Sequence, residues 1–160
     1  MKNQTRTTAD KAPRVSVLMP CFNAETTLEE TLGTLAQQTW QDFEIIAVND
    51  GSTDGTLAIL SAWAQRDDRL KIKSIDHLGI VMALNVGLDA CRGAYVARMD
   101  ADDRAHPERL SRQAALLDHN PDVGLASCLV RGFPVENVRE GFQIYMDWLN
   151  GLVEDVQIRR

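Results

Sequence analysis

Apolar positions along this chain follow two alternating rhythms. "VSVLM" (15–19) and "FEIIAV" (43–48) are short, nearly unbroken apolar runs, the pattern of strands covered on both faces of a sheet. "LKIKSI" (70–75) alternates apolar with polar positions, which suits an edge or a partly covered strand. "AYVARM" (94–99) and "VGLASCLV" (123–130) read as a fourth and a fifth strand. Between these runs the spacing turns helical: Leu28, Leu32 and Leu35, then Leu57, Leu60 and Trp63, then "GIVMALNVGLDAC" (79–91), then Leu110, Ala114 and Leu117. Asn23 is the predicted N-cap of the first helix, Gly87 sits inside the third at some cost, Pro107 suits the opening turn of the fourth, and "HNPD" ends it. The tail "GFQIYMDWLNGLVEDVQIRR" reads as an amphipathic helix.

Strands alternating with helices of this length predict an α/β fold, an open and mainly parallel sheet flanked by helices on both faces. The predicted organisation is a polar N-terminal tail over 1–13, one α/β domain over 14–131, and a helical extension over 132–160. A chain of 160 residues with 44% hydrophobic and 25% charged positions has the composition of one globular domain. Its net charge of -6 provides no broad positive field for nucleic acid or an anionic membrane. Three cysteines, Cys21, Cys91 and Cys128, form no CxxC pair, which argues against a zinc knuckle and a disulfide framework and suits a reducing, cytoplasmic setting. No apolar stretch approaches the roughly 18 residues of a membrane span, and no signal-peptide core is present at the N-terminus.

In open parallel sheets, ligands bind in the crevice beyond the carboxyl ends of the strands. Three polar loops, "PCFN" (20–23), "NDGSTDG" (49–55) and "DADD" (100–103), directly follow predicted strands one, two and four, so they are expected on one rim. If the backbone stays extended, Asp100 and Asp102 point to the same side and repel. A bound Mg²⁺ or Mn²⁺ relieves that repulsion, with phosphates completing the shell; the alternative is a solvated turn capping the helix at Pro107. Asp50 is a candidate acceptor for a nucleobase N–H, or else an Asx-type turn residue before Thr56. Phe22 offers a ring to stack on a base or to fill the core, and Glu25 a ligand contact or a helix-dipole partner. His77, His106 and His119 show no ligand spacing and read as surface or capping residues. Neither GxGxxG nor GxxxxGK[ST] is present, and "DGSTDG" reaches Ser61 where a calcium loop needs Glu.

With these loops in place, "SVLMPCFNAETTLEETLGTLAQQT", "FEIIAVNDGSTDGT", "GIVMALNVGLDACRGAYVARMDADD" and "NPDVGLASC" resemble, in order and spacing, the family 2 glycosyltransferases of GT-A fold, over about Val15 to Val130. The resemblance implies transfer of a sugar from a nucleoside diphosphate sugar, most often UDP-linked, to a saccharide or lipid-linked acceptor hydroxyl with inversion. It implies that Pro20, Phe22 and Glu25 line the nucleoside pocket, that Asp50 reads the base, and that Asp100 and Asp102 form the D-x-D element, Asp102 being the metal ligand and Asp103 assisting. It also implies Mn²⁺ or Mg²⁺ as cofactor and a role in cell-surface polysaccharide synthesis, at the cytoplasmic side and peripheral to the membrane. Leu84, Asn49 and Phe22 stand where relatives often carry Arg, Asp and Tyr.

The chain is expected to hold the donor half of such an enzyme, the catalytic base being absent and the acceptor region coming from missing elements or another chain. Of the acidic residues near the C-terminus, Asp147, Glu154 and Asp155 are weak candidates for the base, and Trp148, Leu149 and Leu152 are expected to drive association. Two other functions fit parts of the pattern. One is a module that binds a nucleotide and transfers nothing. The other is an aspartate-based phosphatase, which is disfavoured because that motif should follow the first strand and Asp102 is followed by Asp103 and Arg104.

Overall fold

A computed structural model describes residues 11–153. Its elements run β1 (Val15–Cys21), α1 (Leu28–Ala36), β2 (Phe43–Asp50), α2 (Thr56–Ala64), β3 (Leu70–Ile75), α3 (Ile80–Ala90), β4 (Tyr95–Arg98), α4 (Arg109–His119) and α5 (Glu140–Asn150), with one 3-10 turn at Val135–Asn137. The four strands form one all-parallel sheet in the order β3-β2-β1-β4. From β1 the chain steps outward to β2 and β3, then returns across the sheet to place β4 on the other side of β1. Strand order therefore reverses between β1 and β4, where a crevice opens beyond the strand ends.

The two apolar rhythms account for the layers. Every residue of β2 is buried, and so is all of β1 except half-buried Pro20, as expected for strands covered on both faces. Val15, Val17, Met19 and Cys21 of β1 and Phe43, Ile45 and Ala47 of β2 face Leu28, Leu32 and Leu35 of α1, Leu60 of α2, and Leu110 and Ala114 of α4. Leu18, Ile46 and Val48 pack on the opposite side against Ala83 and Leu84 of α3. α3 lies close to the sheet because residue 87 is glycine: a Cβ there would stand 2.1 Å from Leu18 Cδ1 and 2.9 Å from Val48 Cγ2. β3 is an edge strand, as its alternation predicts.

Two expectations about the elements fail. The segment 123–130 forms no strand but runs as irregular chain beside α4, with Leu125 and Leu129 exposed. Its backbone is held by side chains: Gln113 donates to Ala126 O at 3.0 Å, and Asn150 bonds both the N–H and the C=O of Val130. Asn23 does not cap α1, which starts four residues later than that role requires, behind a turn in which the Thr27 and Leu28 N–H groups donate to Ala24 O. Asn23 instead adopts a left-handed φ of 48° and its Oδ1 accepts from Thr53 N–H, tying the β1 loop to the β2 loop.

At the amino-terminal end of the sheet, Glu44 interrupts the apolar run of β2 yet is buried. Its carboxylate accepts from Ser16 Oγ at 2.8 Å, from Arg92 N–H at 3.0 Å and from the Arg92 guanidinium at 2.8 Å. Burial pushes this carboxyl up, but Arg92 and Ser16 outweigh it and hold it below the usual range. Cys21 is buried, Cys91 half-buried and Cys128 exposed, all as free thiols. Among the described residues no helix is long and apolar enough to cross a membrane.

Candidate functional site

A cleft of about 510 Å³ opens beyond the carboxyl ends of the strands, lined by the last residue of β2, the loops after β1, β3 and β4, and the start of α3. Pro20, Phe22, Asp50, Asp100 and Asp102 all line it. Residues far apart in the chain thus converge where strand order reverses. Glu25, which the resemblance assigns to the pocket, does not line it. Its Oε2 accepts from Gly55 N–H at 3.1 Å, so it braces the loop leading into α2.

The Asp50 side chain is only 3% exposed, at the tip of β2. Its Oδ1 accepts from Leu78 N–H at 2.8 Å and its Oδ2 from Gly79 N–H at 3.0 Å. Burial alone would raise this carboxyl; the two N–H groups and His77 prevail and keep it ionised, below the ordinary carboxylate range. The Asx-turn role belongs to Asp54, whose Oδ1 accepts from both the N–H and the hydroxyl of Thr56 at the start of α2. Phe22 is 47% exposed and therefore not core; its ring stacks on His77 at a centroid separation of 3.9 Å and an interplanar angle of 17°.

The sequence pattern makes His77 a surface or capping residue; the structure leaves it exposed and in addition places it at the cleft. A signal for this exists in the chain: "DHLG" follows β3 and so belongs on the same rim as the other three loops. His106 and His119 keep their capping roles, with His106 Nδ1 accepting from Glu108 N–H and His119 Nδ1 near Ala115 O in the last turn of α4.

The aspartates after β4 do not continue an extended strand. Residues 101 and 102 form a turn, and Asp103 N–H donates to Asp100 O at 3.2 Å. Asp100 and Asp102 share the cleft because of that turn, not through strand alternation. α1 holds the turn in place: Thr27 and Thr31 hydroxyls donate to Ala101 O at 3.0 and 2.9 Å, and Thr34 Oγ1 accepts from Ala105 N–H. Gln38 extends the brace, donating to His106 O and accepting from Leu110 N–H. These threonines and Gln38 look like ordinary polar helix positions in the sequence, and only the packing of α1 reveals their task.

Hard carboxylate oxygens suit Mg²⁺ or Mn²⁺, ions that retain waters and take further ligands from substrate phosphates. Asp102 is exposed and has no hydrogen-bond or ion-pair partner among the described residues, whereas Asp100 is held by Arg98 at 2.9 and 3.1 Å. Burial, together with the charges of Asp100 and Asp102, pushes the Asp103 carboxyl up. Among the described residues no three acidic, histidine or cysteine side chains lie close enough to enclose a cation unaided. A divalent cation held by Asp102 and Asp100 would need its remaining ligands from substrate or water. Asp147 accepts from Gln143 on α5 and does not line the cleft, while Glu154 and Asp155 lie outside the described residues. Trp148 is exposed.

The fold is thus a parallel α/β sheet whose switch-point crevice holds, on one rim, the buried Asp50 carboxylate at the end of β2 and the exposed Asp102 in the loop after β4. The glycosyl transferase family 2 profile matches residues 16–154, and the chain belongs to that family. It is 40% identical over 115 residues to an uncharacterized glycosyltransferase of Haemophilus influenzae, covering 71% of this chain and 36% of that protein. It is 37% identical over 121 residues to the amylovoran biosynthesis glycosyltransferase AmsE of Erwinia amylovora, covering 74% and 46%. Among solved structures, the mannosyltransferase PcManGT from Pyrobaculum calidifontis, in complex with GDP-Man and Mn²⁺, aligns with a TM-score of 0.69 at 30% identity over 76% of this chain and 37% of that one. TarS 1–349 of S. aureus in complex with UDP-GlcNAc aligns with a TM-score of 0.64 at 27% identity over 74% and 38%. The chain spans about a third to a half of the length of these two curated relatives.

Proposed function

We propose that the cleft binds a nucleoside diphosphate sugar and that the protein transfers the sugar to an acceptor hydroxyl with inversion. The observation that carries this reading is the convergence of Asp50 and Asp102 on one switch-point cleft, in a chain of family 2. The Phe22 ring faces the base, Asp50 accepts a base N–H, and Asp102 with Asp100 holds the diphosphate's Mn²⁺ or Mg²⁺, Asp103 assisting. When bound, the cation stabilises the charge that develops on the departing diphosphate, a Lewis-acid contribution worth several kcal/mol. The chain's own part is positional. α1 fixes the aspartate turn through Ala101 O, and the β3 loop fixes Asp50. The relatives whose structures contain UDP-GlcNAc and GDP-Man with Mn²⁺ support this donor class.

Isothermal titration of UDP in the presence of Mn²⁺ tests the assignment. The wild type should bind, and Asp102→Asn should bind at least about tenfold more weakly, the loss of one charged metal contact being worth about 1.4 kcal/mol or more. Equal affinity in the two proteins removes the metal assignment. Release of UDP from UDP-GlcNAc over many turnovers separates transfer from mere binding.

A further inference from the structure

The aspartate turn borders two cavities. Asp100, Ala101 and Asp102 line the cleft, while Asp103 and Arg104 line a second cavity of about 800 Å³ between α4 and the segment 126–133. That segment is tied down through Ala126 O by Gln113 of α4 and through Val130 by Asn150 of α5, so both walls are fixed. Four arginines stand on the second cavity, Arg104, Arg109, Arg112 and Arg131, against two carboxylates, Asp103 and Glu108, in a protein whose net charge is -6. Arg112 is paired with Glu108 at 2.7 Å, and Arg104 with Glu30 at 2.6 Å while its guanidinium lies 3.9 Å from the centroid of the Phe133 ring. Arg109 makes no ion pair among the described residues; its Nε donates to Gln113 Oε1 at 3.3 Å and its Nη2 to Arg98 O at 2.8 Å, which orients the guanidinium and leaves its other N–H groups open. Arg131 has neither an ion pair nor a hydrogen bond among the described residues.

A guanidinium presents five donors in a planar fork that matches the oxygens of a phosphate. Two guanidiniums without counterions suit the nearly double charge of a phosphate monoester better than the single charge of a carboxylate. The rest of the wall is apolar: Leu116, Leu129, Val130 and Phe133 line the same cavity, and each is exposed. A hydrocarbon laid on that wall removes apolar surface from water. An uncharged sugar would match neither the arginines nor the apolar wall, and a nucleic acid would need a broad positive field that this chain lacks. We propose that the cavity binds a phosphate joined to an apolar chain, the phosphate on Arg109 and Arg131 and the chain along Leu129, Val130 and Phe133. Beside a cleft that takes a nucleotide sugar, such a ligand is the lipid-phosphate part of an acceptor, and this consequence rests on the function proposed above. The binding site itself does not.

Farnesyl phosphate is the probe, titrated calorimetrically below its micellar concentration near neutral pH, with farnesol and inorganic phosphate as its separate halves. The wild type should bind farnesyl phosphate at least about tenfold more tightly than either half. Arg131→Gln and Arg109→Gln should each weaken it about tenfold, one charge-assisted contact being lost. Leu129→Ser should weaken farnesyl phosphate and leave inorganic phosphate unaffected. Arg131 holds no bond in the fold, so its variant carries the test should Arg109→Gln fail to fold. Farnesol or inorganic phosphate binding as tightly as farnesyl phosphate, or unchanged affinity in Arg131→Gln, overturns the proposal. Two further results overturn it: displacement of farnesyl phosphate by UDP with Mn²⁺, which would put the phosphate in the cleft, and a concentration-dependent dimer dissolved by Leu129→Ser, which would make the apolar wall a contact between copies. Arg131→Gln should leave the affinity for UDP with Mn²⁺ unchanged. A wild type that binds farnesyl phosphate but not UDP with Mn²⁺ refutes the function proposed above and leaves this site standing, whereas the converse result refutes the site alone.

Discussion

The brace between α1 and the aspartate turn makes a quantitative prediction. Ala101 is nearly excluded from solvent, and its carbonyl oxygen takes two hydroxyl donors, Thr27 at 3.0 Å and Thr31 at 2.9 Å. Replacing Thr31 with Val preserves shape and leaves the carbonyl its second donor, so the cost is one net hydrogen bond, roughly 0.5–1 kcal/mol. Thr27→Val should cost the same, its hydroxyl also lying 3.3 Å from Ala24 O. In the double variant Ala101 O loses both hydroxyl donors, and an unsatisfied buried acceptor carries its full desolvation penalty, so the total should reach about 2–4 kcal/mol. The double variant therefore exceeds the sum of the singles by about 1 kcal/mol or more, well above the roughly 0.3–0.5 kcal/mol scatter of independent sites. Urea denaturation of the four proteins measures this. With a slope near about 2 kcal/mol/M, each single variant moves the midpoint by about 0.5 M or less and the double by about 1–2 M. The double variant should also bind UDP with Mn²⁺ more weakly than either single variant, because the turn that carries Asp100 and Asp102 is released. Additivity within about 0.5 kcal/mol would show that α1 does not hold the turn through this carbonyl, and the positional account of the site would fail with it.

Glu44→Gln should lower stability by about 2 kcal/mol at pH 7, since the buried carboxylate loses charge-assisted bonds from Arg92. The folded carboxyl of Glu44 is depressed, so its contribution is present above the unfolded value of about 4.3 and is lost as pH falls through the lower folded value. Urea midpoints of the wild type and Glu44→Gln should thus converge below about pH 4; a gap that stays constant or widens in acid refutes the sign. Gly87→Ala gains helix propensity of up to about 1 kcal/mol but drives a Cβ into Leu18 and Val48, an overpacking cost of about 1–3 kcal/mol. Its Tm should fall by a few degrees, and a Tm equal to or above that of the wild type would show that α3 does not rest on the sheet through this position.

Much of the architecture is legible in the sequence because it depends on short-range pattern. Continuous apolar runs make β1 and β2 central, alternation places β3 at an edge, and the rule that loops after parallel strands share one rim brings Pro20, Phe22, Asp50, Asp100 and Asp102 together without coordinates. What local pattern cannot supply is the choice of partner. The run 123–130 has the composition of a strand, yet a strand exists only where another backbone edge accepts it, and side chains of Gln113 and Asn150 take up bonds that a ladder would need. Asn23 has the chemistry of a cap, but Thr53, far along the chain, claims its oxygen. The loop rule puts His77 on the same rim, but its contact with Asp50 and its stack on Phe22 are set only by the folded sheet. Hydrophobic periodicity is written into neighbouring residues and survives in the chain as text, whereas a hydrogen-bond partner is selected by three-dimensional proximity among many candidates. That is why the layers and the rim of the site can be read in advance, and why the braces, the bent aspartate turn and the guarded carboxylate emerge from tertiary packing alone.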